Sequence, residues 1–200
     1  MSRFVPLAVL LLASGAALAQ RPPGGNPMQH PPHAPFVRPG EGAPARGVGE
    51  LGDTDRNFIA HAARWGLAEI AAARLALERT RDPALRDYAQ RLVQDHAAAN
   101  ARLQRIAASK GVALPAAPTN KQEGDLRQLQ RVRAKDFEQR FLRQMVDDHQ
   151  KAIDLFGHEI KGRHQDADLK NFAQQTLIGL ERHLAEAQRL RKAAGHLPGA

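Results

Sequence analysis

Residues 141–160 read FLRQMVDDHQKAIDLFGHEI. Leu142, Val146, His149, Ile153, Phe156 and Ile160 recur at alternating steps of four and three. That spacing lines one face of an α-helix. A half-buried strand would alternate at every second residue, and this stretch does not. The stripe is apolar except at its centre, where His149 stands.

Three other segments carry the same kind of stripe. One runs through Phe58, Ala62, Trp65, Glu69, Ala72 and Ala76. A second runs through Leu85, Ala89, Leu92, His96, Ala99, Leu103 and Ile106. A third runs through Leu169, Ala173, Thr176, Leu180, His183, Ala187 and Leu190. Each has one ionisable residue near its middle, with Thr176 a minor further interruption. Helix-end signals bound the segments. The first spans about 55–80. The second has Asp82 as cap, Pro83 in its first turn and Gly111 at its end. The third begins near Asp136 and ends before Gly162, and the fourth begins near Asp166 and ends before Gly195. Residues 121–132 form a short helix with Leu126, Leu129 and Val132 inward. No segment has strand-like alternation.

An internal repeat supports pairing of the helices. A shift of 84 lays residues 82–111 over 166–195 without a gap, and eight of the 30 positions are identical, Asp82/Asp166, Leu85/Leu169 and Gly111/Gly195 among them. The predicted fold is all-α: two helical hairpins packed as a four-helix bundle. The stretch 112–135 is either a long crossover or a short loop plus a helix.

The four seam-breaking residues, Glu69, His96, His149 and His183, are the candidate site. Glu69 lies about 12 residues before the first hairpin turn and His96 about 15 after it, a difference in height of roughly 4–5 Å at 1.5 Å per residue. His149 and His183 differ by about one turn. An isolated buried carboxylate is costly unless it is paired or binds a metal. Three neutral imidazoles and a carboxylate suit one transition metal ion, Zn²⁺, Fe²⁺ or Cu²⁺. Asp95, Asp148 and Glu181 stand beside the seam histidines, placed to orient their rings. Without metal, the same residues would form a hydrogen-bonded cluster that fixes bundle register. His61 falls off the seam, and His158, His164 and His196 lie near helix ends. Met145, one turn before His149, reads as a core residue. Gly66 and Gly179 are mid-helix glycines that permit close approach.

Composition narrows the classes. The 200 residues include nine His and no Cys, which excludes disulfides, thiolate metal sites and a Cys nucleophile. Residues 1–19 read as a signal peptide, with Arg3 at its head, an apolar run from Phe4 to Leu12 and a small-residue cleavage site ending at Ala19. Residues 20–52 form a disordered tether: positions 21–52 hold eight Pro and seven Gly, with His30 and His33 among them. The folded domain is 53–197. The expected location is periplasmic or secreted, with no transmembrane segment in the mature protein. The net charge of +8 then points to anionic envelope components as partners, not to nucleic acid.

Gly66-Leu67-Ala68-Glu69-Ile70, Tyr88-Ala89, Asp95-His96, the run MVDDHQKAI from Met145 and His183-Leu184 occur in this order after the signal peptide. In this they resemble the bacterial domain of unknown function 4142, over about residues 53–192. The resemblance implies a ferritin-like four-helix bundle and no established reaction. MVDDHQKAI also resembles the Met-x-x-His-His motif of another secreted bundle family suspected of metal handling, with Asp148 in place of its first His. The Glu-x-x-His pairs of di-iron ferritins are absent, since Val93 and Leu180 stand three residues before His96 and His183. Two functional readings follow: a periplasmic metal-binding bundle in metal handling or envelope stress, and a non-metal structural or interaction protein of the envelope. No residue set marks a nucleophile, so binding is favoured over catalysis.

Overall fold

The computed structural model describes residues 51–162 and 166–194. The expected signal peptide, most of the expected tether, His30, His33, His164, His196 and the expected cap at Gly195 lie outside the described residues. Within them the chain is all-helical: α1 (Asp53–Arg79), α2 (Pro83–Ser109), α3 (Asn120–Arg131), α4 (Ala134–Lys161) and α5 (Ala167–Ala194). None of these helices is long and apolar enough to cross a membrane.

Local chemistry sets the helix ends. The Asp82 carboxylate accepts from the Leu85 amide at 2.9 Å and starts α2, with Pro83 in the first turn. Gly111, at φ 68°, closes α2. Thr119 and Gln122 form a reciprocal capping box at the start of α3. The other end of α3 is capped from outside: the Arg79 guanidinium donates to the carbonyls of Leu129, Gln130 and Val132 at 3.2, 3.0 and 2.6 Å. The same guanidinium stacks 4.3 Å from the centroid of Phe137. Asp166 begins α5 by accepting from the amides of Asp168 and Leu169.

The four long helices pack in a ring, with α1 against α2 and α4, and α5 against α2 and α4. Side-chain contacts give their directions. Phe58 near the start of α1 meets Phe156 near the end of α4, with ring centroids 5.0 Å apart, while Arg79 at the end of α1 covers Phe137 at the start of α4. Lys110, just after α2, reaches Asp168 at the start of α5 at 2.9 Å, and Arg91 near the start of α2 faces Glu186 late in α5. Neighbours in the ring are therefore antiparallel, and α2 and α4 run parallel on a diagonal. The connection from 110 to 133 must then travel the length of a 27-residue helix, about 40 Å. It does so carrying α3, which lies against α1 and α4. Of the two readings of 112–135, the long crossover holds, with a helix inside it, and the short loop does not.

The buried residues largely follow the seams, although Trp65, Ala99, Ile106 and Thr176 are only half-buried, and α4 shows the widest shift. On α4 the fully buried stripe is Met145, His149, Ala152, Phe156 and Glu159, while Val146, Ile153 and Ile160 are half-buried beside it. α4 packs against both α1 and α5, so its inner face is wider than one seam. The apolar core falls into two clusters. One holds Ala72, Ala76, Leu92, Phe141 and Met145, and the other holds Phe58, Ala62, Leu103, Phe156 and Leu180. Between them lies a layer of ionisable side chains.

Candidate metal centre

Each helix of the ring contributes one side chain to this layer: Glu69 from α1, His96 from α2, His149 from α4 and His183 from α5. Their exposures are 5, 8, 1 and 6%. The three imidazoles meet, with ring centroids 5.7 Å apart for His96–His149, 5.5 Å for His96–His183 and 5.3 Å for His149–His183. His183 is level with the other two rather than one turn away. One ring nitrogen from each lies within 4.8 Å of the others, the one such group of His, Cys, Asp or Glu among the described residues.

The hydrogen bonds fix which nitrogens are free. His149 Nδ1–H donates to the Met145 carbonyl at 2.8 Å, which leaves Nε2 as the lone-pair nitrogen. His183 Nε2–H donates to Asp95 Oδ2 at 2.8 Å across the α2–α5 interface, which leaves Nδ1. His149 Nε2, His183 Nδ1 and His96 Nε2 are all buried without a protein partner, as is Glu69 Oε2. The Tyr88 hydroxyl donates to the His183 carbonyl at 3.3 Å and ties α5 to α2 at this height.

The electrostatics keep the layer neutral. Burial, then the neighbouring His149 and His183, hold His96 well below the ordinary imidazole range. Burial and His183 push His149 down to about 4, against the Met145 hydrogen bond. Burial lowers His183, and Asp95 opposes it. Burial raises the Glu69 carboxyl well above the ordinary carboxylate range, with Asp148 adding to the effect. Glu69 Oε1 stands 3.8 Å from His149 Nδ1. With both groups neutral and that Nδ1–H committed to Met145, the contact is not an ion pair.

Three neutral imidazoles are a donor set that a first-row metal ion accepts. Metal–imidazole bonds of about 2.0–2.1 Å place ligand nitrogens roughly 3.3 Å apart in a tetrahedron. Nitrogens within 4.8 Å of one another need only small ring rotations to close on an ion. A cavity of about 20 Å³ borders Glu69, His96 and His149, enough for one water-sized species. Glu69 faces the Nδ1 side of His149 and lies outside the converging group, beside it in the same layer.

The flanking residues divide. Asp95 orients an imidazole, but that of His183 on another helix rather than its neighbour His96. Asp148 turns to Lys151 at 3.6 Å, and Glu181 is exposed. Met145 is fully buried in the apolar cluster and serves His149 through its backbone carbonyl. His61 and His158 are exposed. Gly66 lets Asn100 of α2 lie against α1: a methyl there would come within 2.7–2.8 Å of Asn100 Nδ2 and Cγ. Sequence reasoning missed a second buried ionisable group. Asp55 and Glu159, 4 and 2% exposed, meet near the start of α1 and the end of α4. Each sits three residues from the seam phenylalanine on its helix, so a step of three past Phe156, or back from Phe58, finds them.

No curated protein matches this chain. The fold is similar to the crystal structure of a DUF305 fragment from Deinococcus radiodurans, with a TM-score of 0.63 and 15% identity over 74% of this chain and 99% of that one. The family model described as domain of unknown function (DUF4142) matches residues 41–190, and the chain belongs to that family.

Proposed function

We propose that this protein is a ferritin-like, four-helix metal-binding bundle that holds one transition metal ion through His96, His149 and His183. The observation that carries this reading is the set of buried ring nitrogens without a protein partner, one from each of three helices, with ring nitrogens within 4.8 Å of one another. An ion bound there would satisfy all three at once and supply a Lewis-acidic centre with an open fourth position. The all-imidazole donor set suits Zn²⁺, Cu²⁺ or Fe²⁺ and selects against Mg²⁺ and Ca²⁺, which take oxygen ligands. Glu69 supplies a carboxyl beside the imidazoles, and Asp95 holds the His183 ring in the tautomer that leaves Nδ1 free.

The reading extends to location. The signal-peptide pattern of residues 1–19 favours the periplasm or the exterior, where the protein would take part in metal handling. The basic charge suits contact with anionic envelope polymers, which salt would weaken. The test is metal analysis of the purified protein, followed by titration with Zn²⁺, Cu²⁺ and Fe²⁺ of wild type and of His96→Ala, His149→Ala, His183→Ala and Glu69→Gln. A stoichiometry of one ion per chain, abolished by each His substitution, is expected. Absence of binding under every loading condition would show that the layer only fixes bundle register.

A further inference from the structure

His96 and His183 face more than the bundle interior. They also line a groove of about 320 Å³ between α2 and α5. That size is near the lower end for small-ligand sites and equals the liquid volume of roughly ten waters.

The outer walls of the groove carry two guanidinium groups, from Arg102 and Arg182. Arg102 is held in place: its Nη1 donates to Gln175 Oε1, and its head lies 5.8 Å from the centroid of Phe172. Arg182 is next to His183 in sequence, and its charge helps to hold that imidazole neutral. Asp95 is the one acidic residue on the groove and is bonded to His183 Nε2. Two cations, Arg102 held in place and Arg182 exposed, against one committed anion leave the groove net positive. Gly179 keeps it open one turn before His183, since a side chain begun there would meet only Arg182 Nη2, at 3.9 Å.

We propose that this groove binds a small oxyanion, of the carboxylate or phosphate class, with one oxygen toward the ion held by the three imidazoles and the others toward Arg102 and Arg182. The proposal rests on the three-imidazole reading above. It makes the open coordination position a binding site for an exogenous ligand, reached from solvent between α2 and α5. Guanidinium groups suit this role because their planar forks match the oxygens of carboxylate and phosphate.

The test uses the full chain loaded with Co²⁺, whose visible spectrum reports its coordination. Acetate and inorganic phosphate are titrated in separate arms, which distinguishes the two anion types. A saturable spectral change in at least one arm is expected. Its affinity should fall about tenfold or more in Arg102→Ala and in Arg182→Ala, the scale of a lost charge-assisted hydrogen bond. Gly179→Leu should abolish the response while Co²⁺ stays bound, and its helical circular dichroism would show that it folds. Co²⁺ binding with no anion response, or with equal responses in wild type and both Arg variants, would overturn the groove proposal and leave the metal reading standing. Failure to bind Co²⁺ or any of Zn²⁺, Cu²⁺ and Fe²⁺ would overturn both.

Discussion

Replacing Glu159 with Gln should remove a pH dependence of stability that is independent of the imidazoles. Glu159 lies buried on α4 and is hydrogen-bonded to Asp55 of α1. The other charges facing it are Asp166, just before α5, and Lys170 within α5. Asp166 is itself paired with Lys110, just after α2, at 2.8 Å. Burial, then the two aspartates, push the Glu159 carboxyl up from 4.5 to about 7, with Lys170 opposing. A carboxyl with a higher pKa in the folded state binds its proton more tightly there. Its stabilising contribution is therefore complete below the unfolded value of 4.5 and is lost as pH rises through about 7. Between about pH 5 and about pH 8 the loss is about 2–3 kcal/mol, or roughly 5–10 °C in Tm. Gln at 159 cannot ionise, and its amide can donate to Asp55 as the carboxyl proton does. Urea unfolding of the metal-free full chain at both pH values measures the effect. Wild type should lose about 2–3 kcal/mol more than Glu159→Gln on going to the higher pH. Titrations common to both proteins cancel in the comparison. Parallel stability curves would refute the assignment of this proton to the Glu159–Asp55 pair.

Asp95→Asn should weaken metal binding by about 10–100-fold, the usual cost of losing a carboxylate that orients a ligating imidazole, as read in a competition titration. Arg79→Ala should destabilise the chain by about 2–3 kcal/mol, because it removes three carbonyl caps and a cation–π contact. Hydrogen exchange should rise first in α3. Gly179→Ala should raise stability by about 0.5–1 kcal/mol through helix propensity. Gly66→Ala should show no such gain, because its methyl displaces Asn100. Equal thermal shifts in the two glycine variants would contradict the close α1–α2 contact.

The helices and the four-residue layer were legible in the sequence because periodicity is a local property. An ionisable residue on an apolar stripe must be buried at mid-helix whatever its neighbours are, so Glu69, His96, His149 and His183 stood out one helix at a time. What lay between helices was not legible. Seam spacing gives height along a helix only to within about a turn. It could not show that the three imidazoles are level while Glu69 approaches the Nδ1 side of His149. Asp95 was visible as a flanking carboxylate, but its partner across the interface depends on how α2 and α5 are rotated. Arg102 carries no seam signal of its own, and only the packing of α2 on α5 shows its guanidinium held by Gln175 beside Phe172. Asp55 and Glu159 were lost to a single choice of step. Extending the α4 seam from Phe156 by four finds Ile160 and an apolar face, whereas extending it by three finds the buried acid.

The polar layer also has an energetic argument against a purely structural role. Bundle register can be fixed by one buried polar residue at a seam position. Here four residues leave four buried polar atoms without protein partners, each at about 1–3 kcal/mol. Their sum approaches the 5–15 kcal/mol that typically separates folded from unfolded chains. The layer also divides what would otherwise be one apolar core into two clusters. The hydrogen bonds that do form, His149 to Met145 and His183 to Asp95, leave the remaining nitrogen of each ring as a lone pair in the interior. A layer selected only to pair its own polar groups would satisfy those nitrogens with neighbouring donors. This one instead brings ring nitrogens from three helices together beside a carboxyl and a water-sized cavity. A cation that accepts ring lone pairs from all three helices would offset that cost.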